Sequence, residues 1–166
     1  MFKKTKLLFA IFTSMIILLV GCGGPEIPYK KGEVYNYKDG DAFVNITGDN
    51  EWKVKGGRGM RSEALYKVES MDEFNAGPYS VIKMSLKEVI SKKDPWLIRQ
   101  DYEYFILSPM EEGFGTVYIG SSYQEDKELK EFRKKFESAD DKEAFIKQEI
   151  EKAKKKYNLN KFRKTS

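Results

Sequence analysis

The chain has 166 residues, with 30 basic and 26 acidic side chains, one cysteine and no histidine. The missing histidine removes the usual general base near neutral pH, the Ser-His-Asp and Cys-His arrangements, and the commonest zinc ligand. A lone cysteine forms no internal disulfide, so a folded domain must rest on its apolar core, to which aromatic residues contribute 14% of the chain.

Lys3, Lys4 and Lys6 precede an apolar run over residues 7–20, and the run ends in Leu19-Val20-Gly21-Cys22. At 14 residues it is shorter than the roughly 18 expected of a membrane-spanning helix, and its basic flank is that of an export signal. The ending matches a lipobox: a branched residue, a small residue, and the cysteine that receives diacylglycerol. Residues 1–21 are therefore predicted to be a lipoprotein signal peptide, with Cys22 the lipidated first residue of the mature chain. One acyl chain binds a bilayer marginally and two hold it stably, so a diacylglyceryl anchor needs no spanning helix. Loss of three lysines leaves 27 basic and 26 acidic side chains, and near-neutrality together with export speaks against nucleic acid as a partner. The predicted location is the outer face of the cell membrane.

Residues 22–32 carry three glycines and two prolines after Cys22 and read as a flexible tether. Tyr29, Lys30 and Lys31 lie close enough to the lipid to rest on anionic headgroups. A single globular domain is predicted over residues 33–166. Residues 33–122 are β-rich: Val34-Tyr35-Asn36-Tyr37, Ala42-Phe43-Val44-Asn45-Ile46-Thr47 and Trp52-Lys53-Val54 are short strands separated by Asp39-Gly40 and Gly48-Asp49-Asn50 turns. Further strands are predicted over 64–68, 79–84, 99–107 and 116–121, and alternation in 101–107 places Tyr102, Tyr104 and Ile106 on one face. Residues 85–93 fit both a strand and a short helix, since Ser85-Leu86-Lys87-Glu88 is also a capping box.

Residues 123–158 read as helical. Ser122-Tyr123-Gln124-Glu125 is a capping-box pattern ahead of a Leu129, Phe132, Phe136 stripe, and Asp140 is placed to cap a second helix carrying Ile146, Ile150 and Ala153. Residues 159–166 read as a basic tail. The fold class is α+β: a twisted antiparallel sheet of about six to seven strands with C-terminal helical segments.

Charge divides unevenly along the mature chain. Residues 22–124 hold 13 bases and 16 acids, and residues 125–166 hold 14 and 10. Lys154, Lys155, Lys156, Arg163 and Lys164 are the candidate contacts for an anion or lipid surface. The acid pairs Asp39/Asp41, Asp72/Glu73, Glu111/Glu112 and Asp140/Asp141 lack the spacing of a calcium loop and read as turn and cap carboxylates. Lys55-Gly56-Gly57-Arg58-Gly59-Met60-Arg61 has glycines and cations suited to an anion, but not the Gly-Lys-Ser/Thr ending of a nucleotide-binding loop. No catalytic residue, metal site or cofactor is predicted; the chain reads as a binding protein.

The lipobox at residues 19–22, one small β-rich domain and a lysine-rich C-terminus resemble the lantibiotic immunity lipoproteins of Gram-positive bacteria. The resemblance implies a non-enzymatic role, giving a producer cell immunity to its own lantibiotic by binding the cationic peptide or shielding its membrane target. The alternative is an accessory or structural lipoprotein of a cell-envelope assembly.

Overall fold

Two-residue alternation gives each strand an apolar face, and a twisted sheet buries such faces by curling upon itself. The protein, seen as a computed structural model describing residues 27–57, 61–96, 101–123 and 126–165, does this with eight antiparallel strands. They are β1 (Val34–Tyr37), β2 (Ala42–Gly48), β3 (Glu51–Gly56), β4 (Glu63–Ser70), β5 (Ser80–Ser91), β6 (Glu103–Met110), β7 (Gly113–Ser121) and β8 (Leu159–Lys164). Neighbours in sequence are neighbours in space, and β8 returns to β1 through Tyr35↔Lys164, Asn36↔Arg163 and Tyr37↔Phe162, closing a barrel. The coarse α+β expectation agrees with this. The six-to-seven-stranded sheet does not: there are eight strands, and the sheet is closed.

Two local differences account for that. Residues 159–166, expected as a basic tail, contain β8; its alternation is hard to read because Phe162 is its only buried residue. The open choice over residues 85–93 resolves as strand through Ser91, where β5 pairs with β4 beyond the point at which its β6 partner ends. The turn from β6 into β7 requires glycine at 113, where φ is +133° and a Cβ would collide with the Phe162 carbonyl of β8.

The barrel interior is aromatic. Trp52, fully buried, lies 5.0 Å from the Tyr29 ring, 5.6 Å from Phe114 and 6.0 Å from Phe162, while Phe114 and Phe162 stack at 4.6 Å. Val44, Ile46, Val54, Ala64, Tyr66, Val68, Ile82 and Leu107 fill the space around them.

Two helices, α1 (Lys127–Ser138) and α2 (Lys142–Lys155), connect β7 to β8 and pack on the outside. The expected Leu129, Phe132, Phe136 stripe is buried there with Ile146, Ile150 and Ala153 against Phe74, Val81, Tyr104, Ile106 and Val117. Strand β6 is thus covered on both sides, with Tyr104 and Ile106 under the helices and Leu107 in the barrel. The α2 cap falls one residue later than expected: Asp141, not Asp140, accepts from the Ala144 N–H at 2.9 Å. At α1 the cap position is Asp126 in a left-handed conformation, not Ser122, and Glu125 of the expected capping box lies outside the described residues. Among the described residues no helix is long and apolar enough to cross a membrane.

The segment before β1 seals one end of the barrel, here the lower end. Glu33 ties that seal to the closing strand: its carboxylate accepts from Lys164 Nζ at 2.5 Å, the Tyr35 hydroxyl at 2.6 Å and the Lys30 N–H at 2.6 Å. The Lys164 ammonium, then the Tyr35 hydroxyl, hold the Glu33 pKa down from the ordinary 4.5 to about 2. An acid whose pKa is lowered on folding stabilises the fold fully above its unfolded value and loses that contribution as pH falls towards the folded one. Because Lys164 is half-exposed, screening reduces the contribution to about 1 kcal/mol. Urea unfolding of Glu33→Gln should therefore show a loss of stability between pH 4.5 and 2 shallower by about that amount. An unchanged acid limb would mean that the carboxylate does not secure the seam.

Candidate functional site

The strands alternate in direction, so the Lys38–Gly40 turn, the segment after β5, the start of β6 and the start of β8 all meet at the upper end, opposite Tyr29. There the aromatic filling stops short of the rim and leaves a recess of about 140 Å³. Its apolar wall consists of Tyr37, Trp96, Phe105 and Phe162 with Met84. Its polar groups are Glu103, Thr116 and Asn160.

Each lining residue is put there by its element. Tyr37 ends β1 and packs on Phe162 at 4.9 Å and on Trp96 at 5.8 Å. Trp96 belongs to the segment after β5, which folds back into the barrel and sets its ring 4.6 Å from Tyr66 and 6.4 Å from Trp52. Asp94 holds this return in place, accepting from the Trp96 N–H at 2.8 Å and from the buried Tyr66 hydroxyl. Glu103 and Phe105 follow at alternate positions of β6, and Thr116 and Asn160 face each other across β7 and β8. The Trp96 indole N–H is buried with no acceptor among the described residues.

Burial, and then the nearby Asp94 carboxylate, raise the Glu103 pKa above the ordinary carboxylate range. Among the described residues Glu103 makes no hydrogen bond or ion pair, and none of the lysines or arginines lines the recess. The arrangement is that of a small receptor with aromatic faces and a carboxylate that has no cationic partner among the described residues. Among the described residues no three His, Cys, Asp or Glu side chains stand together as metal ligands.

The residues singled out in the sequence fall elsewhere. Cys22 lies outside the described residues. Tyr29, expected against lipid headgroups, is turned inward: it is 7% exposed, packed on Trp52 and Phe114, and burial pushes its hydroxyl pKa up to about 12. The ring finds more apolar contact in the barrel than a headgroup layer offers. Lys30 and Lys31 stay on the surface beside it.

The expected anion contacts do not form one patch. Lys154 pairs with Glu151 at 2.6 Å near the end of α2, and Lys155 and Lys156 are exposed beside it. Lys156 borders an upper surface groove with Lys38, Lys152 and Tyr157, the last 96% exposed. Lys164 is at the lower end, engaged by Glu33, and Arg163 precedes it on β8. Of the glycine-rich loop, residues 58–60 lie outside the described residues. Glu111/Glu112 form the β6–β7 turn, and Asp72/Glu73 a single 3₁₀ turn.

Sequence reasoning missed the recess. The one available signal was Glu103, an acid in alternation with Phe105 and Leu107 on the face opposite Tyr102, Tyr104 and Ile106.

A family model described as a family of unknown function, DUF5512, matches residues 21–166. An uncharacterized protein of Bacillus anthracis is 46% identical over 154 residues, which is 90% of this chain and 92% of that protein. No solved structure matches.

Proposed function

We propose a function from one premise: the chain belongs to DUF5512, a family of unknown function. In this reading the protein is a lipid-anchored binding protein of the outer membrane face, not an enzyme. It protects its cell from a cationic, membrane-active peptide of the lantibiotic class by binding the peptide or covering its membrane target.

The observation that carries the reading is the position of Tyr29. It stands seven positions after Cys22, a reach of at most about 25 Å, and its ring closes the lower end of the barrel. A lipid on Cys22 therefore keeps the lower end near the bilayer and leaves the upper recess at the far end. Tethering also concentrates the domain in the layer where a membrane-active peptide works. The excess of acids over bases in residues 22–124 favours encounter with a cationic partner.

Expression of the full chain in a sensitive Gram-positive host should raise survival in killing curves with at least one cationic lantibiotic from a panel. Survival identical to the empty host across the panel would remove the immunity role.

A second reading, an accessory lipoprotein of an envelope assembly, is favoured by a different surface. The upper half of β5 exposes Leu86, Val89 and Ile90 where β6 no longer pairs with it. Exposed apolar side chains on such a strand suit contact with another protein. Cross-linking from position 89 in intact cells distinguishes this reading by yielding one discrete partner band.

A further inference from the structure

We propose that the recess at the upper end of the barrel binds an alkylammonium group, with the rings of Tyr37, Trp96, Phe105 and Phe162 around its alkyl shell and the Glu103 carboxylate facing its charge. This rests on the reading of the chain as a binding protein and gives the chemistry of what the site takes.

Size sets the first limit. The recess holds about 140 Å³, and an apolar cavity of about 150 Å³ accommodates a guest the size of benzene. A guest of about five to seven non-hydrogen atoms fits, such as a trimethylammonium head or the end of a lysine side chain. A fatty acid or a folded peptide does not.

Charge sets the second limit. Among the described residues Glu103 has no partner and no cationic side chain lines the recess, and Glu103 stands near Asp94. An anionic guest meets the Glu103 carboxylate. A neutral guest displaces water from Glu103 and returns no compensating charge. A cation relieves both costs.

The third limit is the accessible aromatic surface. Trp52 and Phe114 deeper in the barrel are fully buried, whereas Tyr37, Trp96 and Phe105 at the rim each keep part of their surface open. Ring faces attract cations, more strongly where water is scarce, and aromatic walls with a carboxylate suit alkylammonium groups.

The chain has two tryptophans, so indole labelling gives two N–H signals, one inside the recess wall and one beneath it. The full chain in octyl glucoside, a detergent without charge, is titrated with choline, with its uncharged isostere 3,3-dimethylbutan-1-ol, and with Nα-acetyl-lysine methylamide. Choline or the lysine compound should shift the Trp96 signal saturably, and the alcohol should bind at least about tenfold more weakly than choline. Tighter binding of the lysine compound assigns the site to a peptide side chain; tighter binding of choline assigns it to a small quaternary amine.

Glu103→Gln keeps the shape and removes repulsion from Asp94, so its unfolding midpoint should equal or exceed the parent's while choline affinity falls about tenfold. The comparison of choline with the alcohol uses the parent chain and does not depend on that variant. Absence of a saturable shift with either cation, equal affinity for choline and the alcohol, or unchanged choline affinity in folded Glu103→Gln would overturn the proposal. Killing curves are a separate readout: a chain that takes choline yet gives no protection loses the immunity role and keeps this site.

Discussion

Trp52→Ala should cost about 4 kcal/mol of unfolding free energy, the largest loss expected from any single side chain here. Its ring is fully buried and contacts Tyr29 below, Phe114 and Phe162 at the seam, and Trp96 above. Removing it opens a cavity that Phe114 and Phe162 cannot refill without leaving their own strands. A domain of this size has about 5–15 kcal/mol in total, so the loss corresponds to a fall in unfolding midpoint of about 10–15 °C. Phe43→Ala, on the outer face of β2, is the control and should change stability by about 0.5 kcal/mol or less. Thermal and urea unfolding of both variants measure this. A Trp52→Ala protein within about 1 kcal/mol of the parent would mean that the barrel is not organised around this ring.

Cys22→Ala should abolish stable membrane attachment in the proposed lipoprotein. Each buried methylene contributes about 0.8 kcal/mol, and two acyl chains anchor where one holds only reversibly. With both chains gone, Lys30 and Lys31 offer about 1 kcal/mol each near an anionic surface, too little to hold the protein through washing. The variant should appear free of the membrane or as an unprocessed precursor. Fractionation with intact-mass measurement decides it: a mature Cys22→Ala protein that stays on membranes without lipid mass defeats the claim.

The strands with regular alternation were readable because one inward apolar series runs through each: Val44 and Ile46 in β2, Trp52 and Val54 in β3, and Ala64, Tyr66 and Val68 in β4. The helices were readable for the same reason at their own period. Closure was not, because it depends on β8, where Lys161, Arg163 and Lys164 surround Phe162 and resemble a solvated tail. The five basic residues grouped in the sequence scatter because a strand runs away from the helix that precedes it.

The recess was hidden by a two-sided strand. Alternation assigns one face to the core and the other to water, but β6 has the barrel on one side and the helices on the other. Glu103, on the face opposite Tyr102, Tyr104 and Ile106, therefore gave no sign of burial. Trp96 gave no periodic signal, since the segment that inserts it is held through Asp94, by its contact with Tyr66 and by the turn at Trp96 itself.

The seam between the first strand and the last also governs timing. Glu33 and Lys164 stand 131 residues apart in the chain, and the pairing they secure forms only after the final strand exists. Before then β1 has one neighbour instead of two, and Phe114 lacks the ring it stacks on. Contacts so distant in sequence form late and slowly. If the chain is exported N-terminus first, as proposed for the lipoprotein, the barrel cannot close until β8 has followed. In a chain exported as proposed, the same delay leaves an unsealed barrel open to proteolysis, so loss of the C-terminal strand should mark the chain for removal before it can accumulate.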